Sequence, residues 1–281
     1  MEIGLFYHNK NPKTGPGKLA LNLIQGLKSL GITVKPNQIC KYNGCLQPTN
    51  YELLPSDTLM GPNLVILPDE QPYIWQKFSN FVVPSIWVKN KYKSFEVTKN
   101  TNINVWSVGI DTNQFSAPDK QIEFDCLVYY KNSGEEKLRE TEDRLKSLGL
   151  DYRIIGYGLY TEEQFLDLLQ KCRFCVLVTK TESQGIAYME ILSTNTPCYV
   201  YDKQEWDDIP PYTFAATSAP YFSGECGMIS PDLNSLENFI NKLDIYEPRS
   251  YIINEHRLDV SAKKYLKLLR EEEKKRNESQ N

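Results

Sequence analysis

The sequence predicts an α/β protein in which two parallel sheets are each covered by helices on both faces. Short apolar runs of strand length alternate with segments whose apolar residues recur at helical spacing. The first pair is a strand at Ile3–Tyr7 and a helix over 19–30, joined by a polar loop that contains glycine and proline. Strands that alternate with helices form parallel sheets. A polar, proline-containing stretch at 115–120 indicates a linker between two such halves.

The remaining elements follow from the same periodicity. Strands are predicted at 32–34, 64–67, 81–83, 103–105, 124–130, 153–155, 174–178 and 198–201. Helices are predicted near 85–95, 135–147, 161–171 and 186–194, with a further strongly helical segment at 259–276.

Composition and charge exclude several classes of protein. The chain has 281 residues and a formal net charge of −4, which gives no hint of the basic face that a nucleic-acid-binding protein needs. The longest apolar runs are strand-sized, so no transmembrane segment is expected. The N-terminus is acidic where an export signal would be basic, and seven cysteines in largely apolar surroundings suggest a reducing environment, so a cytoplasmic location is expected.

One cysteine pair has the spacing of a metal or redox motif. Cys172 and Cys175 form a CxxC, but no second pair follows and the chain has only two histidines, His8 and His256. A metal or redox site is therefore not expected here.

The loop Gly15-Pro-Gly17-Lys18 lies between the first strand and the first helix. It does not match a Walker A motif, which would need a glycine at Pro12 and Ser or Thr at Leu19. It also lacks the third glycine of the dinucleotide fingerprint. Two interpretations remain: a turn that brings backbone close to a ligand, or a tight turn with no further role.

The most specific segment follows the predicted strand 174–178. Glu182 lies in the strand-to-helix loop, Gly185 marks a turn, and Glu190 falls about one turn inside the next helix. Ligands bind at this edge of open α/β sheets, and N–H groups near Ile186 and Ala187 would face a phosphate. The two carboxylates are able to grip sugar hydroxyls. The alternative is that Glu182 caps the helix and Glu190 lies on the surface.

The spacing Glu182-x7-Glu190, followed by a small turn and Pro197, resembles the EX7E motif of retaining GT-B glycosyltransferases of the family 4 type. The family pattern often has Phe where this chain has Gln184, and Ile191 and Asn195 replace the usual Ala and Gly. Other segments resemble the family in the same order: the glycine loop at 15–17, then 81–88, 105–115, 127–131 with Lys137, and 152–158.

The resemblance implies a GT-B fold, with two Rossmann-like domains whose parallel sheets face a cleft. It implies an acceptor-side domain at 1–117, a nucleotide-sugar domain at 118–255 and a helix at 256–281 that packs back toward the first domain. The implied reaction moves a hexosyl unit from a UDP- or GDP-sugar to a hydroxyl of a glycan, lipid or small molecule, with retention. No cofactor or metal is expected, in agreement with the lack of an Asp-x-Asp motif.

The resemblance also implies roles for individual residues. Lys131 and Lys137 would neutralise the leaving diphosphate, Glu190 would hold the ribose and Glu182 would contact the transferred sugar. The backbone at Gly15 and Gly17 would approach the β-phosphate. The remaining donor-binding positions are Gly158, Gln184, Gly185, Ile186 and Ala187.

Departures from the family leave some points open. The N-terminal half is short, and the predicted strand 64–67 is not followed by the family's histidine. Asp69 is the candidate to replace it as a catalytic residue, with Glu70 or His8 as alternatives, and Ser85 is predicted as an N-cap. Two other functions remain: a nucleotide-sugar 2-epimerase, or a nucleotide-sugar-binding module without catalysis.

Overall fold

A computed structural model describes residues 1–47 and 51–279, with side chains described up to residue 271. The chain forms two compact units: residues 1–109 together with the segment from His256 onward, and residues 110–255. The stretch 115–120, predicted as the linker, belongs to the second unit.

The first unit contains a six-stranded parallel sheet with the order β2-β1-β3-β4-β5-β6. Its strands are β1 Glu2–Phe6, β2 Thr33–Pro36, β3 Asn43–Cys45, β4 Leu59–Met60, β5 Asn80–Val83 and β6 Asn102–Val105. Its first three helices are α1 Gly15–Ser29, α2 Pro72–Lys77 and α3 Ile86–Lys93. Leu19, Leu23 and Leu27, which recur at helical spacing in α1, are buried, as that spacing predicts.

The apolar run at 64–67 is not a strand, so that prediction is wrong. The strand nearest this position is β4, and the run is an irregular segment between Pro62 and Pro68. Carbonyls here are satisfied by side chains: Val65 accepts from the Tyr92 hydroxyl, and Pro68 accepts from Trp75 Nε1 at 3.0 Å. Ile66 in this run is exposed, and the flanking Pro62 and Pro68 cannot extend a ladder, so the apolar character of the run does not reflect a buried central strand.

The second unit contains a five-stranded parallel sheet with the order β13-β10-β9-β7-β8. The strands after β6 are β7 Phe124–Lys131, β8 Tyr152–Gly156, β9 Cys172–Thr179, β10 Cys198–Tyr201, β11 Glu205–Trp206, β12 Phe214–Ala215 and β13 Gly227–Ser230. The antiparallel pair β11–β12 stands apart from the sheet. The helices after α3 are α4 Glu135–Ser147, α5 Glu162–Lys171, α6 Ile186–Ser193, α7 Leu236–Ile240 and α8 Pro248–His256. The two parallel sheets confirm the predicted α/β class.

The centre of the second sheet is buried on both faces. Strands β7 and β9 pair along most of their length, and Val128 and Val176 on one face and Leu127 and Cys175 on the other are fully inaccessible to solvent. Cys172 and Cys175 are buried, free residues of β9, and no group of metal-binding side chains occurs among the residues that the structure describes. The CxxC spacing is therefore part of a core strand.

The last helix, α9 (Leu258–Ser279), packs against α1 within the first unit. The contact is close because Gly26 has no side chain: a Cβ there would overlap the carbonyl of Leu258 and touch Ala262. Trp106 Nε1 also donates to the carbonyl of Ser261 at 3.0 Å. No helix in the described part of the chain is long and apolar enough to cross a membrane.

Candidate donor site in the second unit

Four strands of the second sheet bring their carboxyl ends together. In the parallel register, Lys131 of β7 lies beside Thr179 of β9, and Tyr130 lies beside Gly156 of β8. Strand β10 ends at Tyr201 on the other side of β9. The segments 131–137, 156–160, 179–190 and 201–203 therefore follow neighbouring strand ends, at the edge where ligands bind in this class of sheet.

Lys131 and Glu182 form an ion pair at this edge. Lys131 Nζ lies 2.7 Å from Glu182 Oε1, and the ammonium lies 4.5 Å from the centroid of the Tyr157 ring. The loop that carries Glu182 is held by a hydrogen bond from its N–H to the carbonyl of Thr217 at 3.0 Å. Burial raises the pKa of the Glu182 carboxyl, and the Lys131 ammonium opposes that shift. The structure thus brings together one predicted cation and one predicted carboxylate.

Lys137 lies on the first turn of α4 and contacts an aromatic ring. Its Nζ is 4.0 Å from the centroid of Tyr201, whose hydroxyl donates to Glu140 Oε2 at 2.6 Å. Burial lowers the pKa of Lys137, while the charges of Asp202 and Glu140 raise it. No carboxylate within the described ranges, 1–47 and 51–271, forms a salt bridge with this ammonium. Lys137 is therefore a partly desolvated cation without a salt-bridge partner there.

Helix α6 begins in a constrained turn. Gly185 has a φ of +72°, and a Cβ at this position would overlap the ring of Tyr188, so only glycine fits. No side chain caps the helix. Ile186 and Ala187 form its first turn, where backbone N–H groups and the helix dipole favour an anion.

Gln184 precedes this turn, and its side-chain amide is unusual because it is buried without a hydrogen-bond partner in the described part of the chain. Both Nε2 and Oε1 of its amide are buried, and neither has a hydrogen-bond partner among the described residues. Buried amide groups are nearly always paired in folded proteins. Gln184 is therefore a side chain whose hydrogen-bonding capacity is unused within the described chain.

Glu190 lies on the second turn of α6 and is also buried, with 4% of its surface exposed. Its charge acts on Tyr160, which follows β8. Burial raises the pKa of Tyr160 to about 12, a hydrogen bond with Tyr129 lowers it, and the Glu190 carboxylate raises it. Since α6 has no side-chain cap and both carboxylates are buried, the interpretation of Glu182 as a cap and Glu190 as a surface residue is wrong.

Gly158 lies in the turn after β8, with a φ of +78°, and open space surrounds the point where a Cβ would stand. The turn requires glycine for its backbone conformation, not for space. It follows Tyr157, whose ring contacts Lys131.

The first unit carries the predicted residues of the glycine loop. Thr14 Oγ1 accepts a hydrogen bond from the N–H of Gly17 at 3.2 Å and caps α1. Gly17 is required by packing, because a Cβ there would overlap the carbonyl of Asn11, whereas the corresponding position at Gly15 is open.

The other four candidates of the first unit, Asp69, Glu70, His8 and Ser85, do not form a cluster in the described part of the chain. Asp69 and Glu70 lie in a 3-10 helix, Pro68–Glu70, in the segment that follows β4, and a catalytic role for Asp69 stays a prediction. His8 is exposed after β1. Ser85 is the N-cap residue of α3, as predicted, although its side chain makes no capping hydrogen bond.

Sequence reasoning missed several side chains at the sheet edge, namely Tyr157, Tyr160, Tyr201 and Asp202. Asp202 accepts hydrogen bonds from Thr217 Oγ1 at 2.6 Å and from the Ser218 N–H at 2.9 Å, and so fixes the segment whose carbonyl holds Glu182. The signal for Tyr201 and Asp202 is their position at the end of a predicted strand; nothing in the sequence links them to Lys137.

No protein-family profile matches the chain, and no curated protein sequence matches it. Solved structures do. A glycosyltransferase from Rickettsia africae ESF-5 is 10% identical with a TM-score of 0.63, and the match covers 96% of this chain and 98% of that one. Sucrose-phosphate synthase from Thermosynechococcus elongatus is 12% identical with a TM-score of 0.56, over 96% and 98% of the two chains.

A third similar structure is an alpha-glucosyltransferase in complex with UDP-glucose and DNA containing an abasic site. It is 10% identical with a TM-score of 0.51, over 96% of this chain and 99% of that one. At these identities the similarity establishes the fold. The two parallel sheets and their helices therefore adopt the GT-B fold, as the resemblance predicted.

Proposed function

We propose that the protein transfers a glycosyl unit from a nucleoside-diphosphate sugar to an acceptor hydroxyl. One observation carries the proposal: two lysines, two buried carboxylates and an uncapped helix start lie around neighbouring strand ends of the second sheet. A nucleotide sugar needs this combination, because its diphosphate is anionic and its ribose and hexose offer hydroxyls. The GT-B fold and the UDP-glucose held by one similar alpha-glucosyltransferase support the same function.

The diphosphate is assigned to Lys137, Lys131 and the first turn of α6. Lys137 has already lost part of its hydration and makes no described salt bridge, so an incoming anion gains a charge-assisted contact at a small further desolvation cost. Charge on the leaving diphosphate grows as the glycosidic bond breaks. Fixed positive groups at that position stabilise the transition state more than the ground state.

The carboxylates are assigned to hydroxyls. Glu190 would accept hydrogen bonds from the ribose, and Glu182 from the transferred hexose. Glu182 forms an ion pair with Lys131, so the sugar of a bound donor would contact Glu182 while its phosphate contacts Lys131. Each hydrogen bond to a charged group contributes roughly 1.5–3 kcal/mol.

The reaction is proposed to proceed with retention and without a metal. The bond between the anomeric carbon and the phosphate oxygen breaks, the acceptor oxygen bonds to the same face of that carbon, and the acceptor proton passes to the departing phosphate oxygen. Lysines and a helix start then stabilise the charge that other enzymes neutralise with a divalent cation. The acceptor is proposed to be a glycan, lipid or small molecule, since the net charge of −4 does not favour nucleic acid.

Three measurements test the proposal. Thermal unfolding with a panel of UDP- and GDP-sugars should show stabilisation by at least one member, because a ligand that binds only the folded state raises apparent stability. Release of nucleoside diphosphate should persist with excess EDTA, and the anomeric coupling of the product by NMR should match the donor. Donor binding without any release of nucleoside diphosphate would indicate a binding module without catalysis. Inversion of the donor sugar at its C2 would indicate an epimerase. Loss of activity in EDTA with rescue by Mn²⁺ would contradict the metal-free mechanism.

A further inference from the structure

Arg249 holds the end of α6 that lies opposite to the candidate donor site. Its guanidinium donates from Nη1 to the carbonyl of Ser193, the last residue of α6, and to the carbonyl of Phe115 at 3.1 Å. Nη2 donates to the carbonyl of Thr112 at 3.0 Å. The Ser193 hydroxyl also donates to the carbonyl of Phe115, at 2.7 Å. These contacts join the end of α6 to residues 112–115, near the start of the second unit.

Asn195 completes the connection in the reverse direction. It follows α6 in the left-handed conformation, with a φ of +56°, and its Oδ1 accepts a hydrogen bond from the Arg249 N–H at 3.2 Å. That N–H lies in the first turn of α8, where backbone donors lack partners within the helix. The Asn195 side chain thus caps α8 while the Arg249 side chain holds α6. Glycine would fit the same backbone but offers no acceptor, which gives asparagine a physical reason at this position.

The contacts at Ser193 affect the whole of α6. The C-terminal end of a helix carries partial negative charge, so a guanidinium at the Ser193 carbonyl stabilises it. Helix α6 has eight residues, of which residues 188–193 are buried. A short, packed helix of about 12 Å shifts as a unit. A displacement at Ser193 would therefore move Ile186 and Ala187, whose N–H groups are assigned to the diphosphate.

We infer that Arg249 is a positioning residue for donor binding, which from the far end of α6 fixes where the start of the helix meets the diphosphate. The inference rests on the proposed function, because it assumes that the diphosphate binds at the start of α6. It assigns to Arg249 no contact with the donor. A misplacement of about 1 Å by a residue far from the chemistry is able to cost about 100-fold in rate, so a positioning role is measurable.

The test compares the wild type with Arg249→Met, which keeps a long side chain and removes the donors, and with Arg249→Lys, which keeps the charge without the fork. Arg173→Met is the matched control, because this arginine lies in β9 of the same unit and pairs with the Asp125 side chain. Calorimetry with UDP and GDP gives the nucleotide affinity. Release of UDP from UDP-glucose, or of GDP from GDP-mannose, gives kcat and KM. Circular dichroism fixes a temperature at which each variant is folded.

We expect Arg249→Met to bind the nucleoside diphosphate at least about tenfold more weakly than the wild type, because the helix start no longer meets the phosphate at the right position. Its kcat should also fall, since charge on the leaving diphosphate grows in the transition state. Arg249→Lys should recover part of the affinity. Arg173→Met should match the wild type in affinity and in kcat.

Asn195→Gly is a second variant for the case that Arg249→Met does not fold. Glycine adopts the left-handed backbone of Asn195 without strain and lacks only the Oδ1 acceptor. We expect this variant to fold and to bind the nucleoside diphosphate about threefold more weakly than the wild type, the scale of one neutral hydrogen bond.

Wild-type nucleotide affinity in folded Arg249→Met, or in Asn195→Gly where Arg249→Met does not fold, would overturn the inference. Arg249 would then contribute to stability alone, and the proposed function would stand. Failure of the wild type itself to bind UDP, GDP and both nucleotide sugars would instead count against the proposed function, and the inference would fall with it.

Discussion

Helices α1 and α6 both begin at a glycine-containing turn, yet their first turns are satisfied in different ways. In α1, Thr14 supplies its own hydroxyl to the Gly17 N–H, and proline occupies the first turn. In α6, the turn is made by Gly185 in the left-handed conformation, and no side chain caps the helix. The difference makes the start of α6, at a sheet edge that also carries a partly desolvated cation, the better candidate for an anion site in this protein.

The largest expected effect concerns Lys137, the cation without a described salt bridge at the sheet edge where α6 begins. Lys137→Met should lower kcat by about 100-fold, the scale seen when one preorganised charge-stabilising contact is removed. Folding should not suffer, because burial already lowers the pKa of this lysine and so disfavours its charged form. Steady-state kinetics and urea unfolding measure the two effects. Lys146→Met, on the exposed side of the same helix, is the control and should change neither.

Substitution of the glycine at each helix start should have a different effect on the stability of the folded protein. Gly185→Ala should destabilise the protein by at least about 2 kcal/mol, since it forces a side chain into left-handed backbone and against Tyr188. Gly15→Ala should cost little, because its surroundings are open and alanine is the better helix former. Urea unfolding of both variants decides the point, and similar losses for the two would remove the contrast.

The smallest effect belongs to the cap of α1. Thr14→Ala should cost about 1 kcal/mol of stability, and Thr14→Ser should retain most of it because serine caps as well. Urea unfolding again gives the measurement. Equal stability of the alanine variant and the wild type would mean that the hydrogen bond to the Gly17 N–H contributes nothing to α1.

The region around the start of α6 is only partly predictable from the sequence. The segment from β9 to α6 is predictable because a buried run, a glycine turn and a helical period succeed one another locally. For Lys131 and Glu182, the sequence predicts only that both lie at the same edge of the second sheet. Their ion pair is not predictable, because the two residues are far apart in sequence and meet through the register of β7 and β9.

Elsewhere, tertiary context overrides local pattern. Strand β3 is not predicted because Asn43-Gly44 is typical of a turn, although Gly44 makes room for the hydroxyl of Tyr265. The prediction of a strand at 64–67 rests on apolarity alone, while side chains of α2 and α3 satisfy the carbonyls of Val65 and Pro68. Short strands and side-chain-supported loops leave no periodic signal by which to identify them.

The most direct test of the account is a calorimetric comparison of Glu190→Ala and Glu182→Ala, each titrated with the free nucleoside diphosphate and with the corresponding nucleotide sugar. We expect Glu190→Ala to weaken both ligands alike, because the lost contact is to ribose, and Glu182→Ala to spare the nucleotide but weaken the sugar-bearing donor. Affinities of both variants that equal those of the wild type would show that no nucleotide sugar binds at the start of α6.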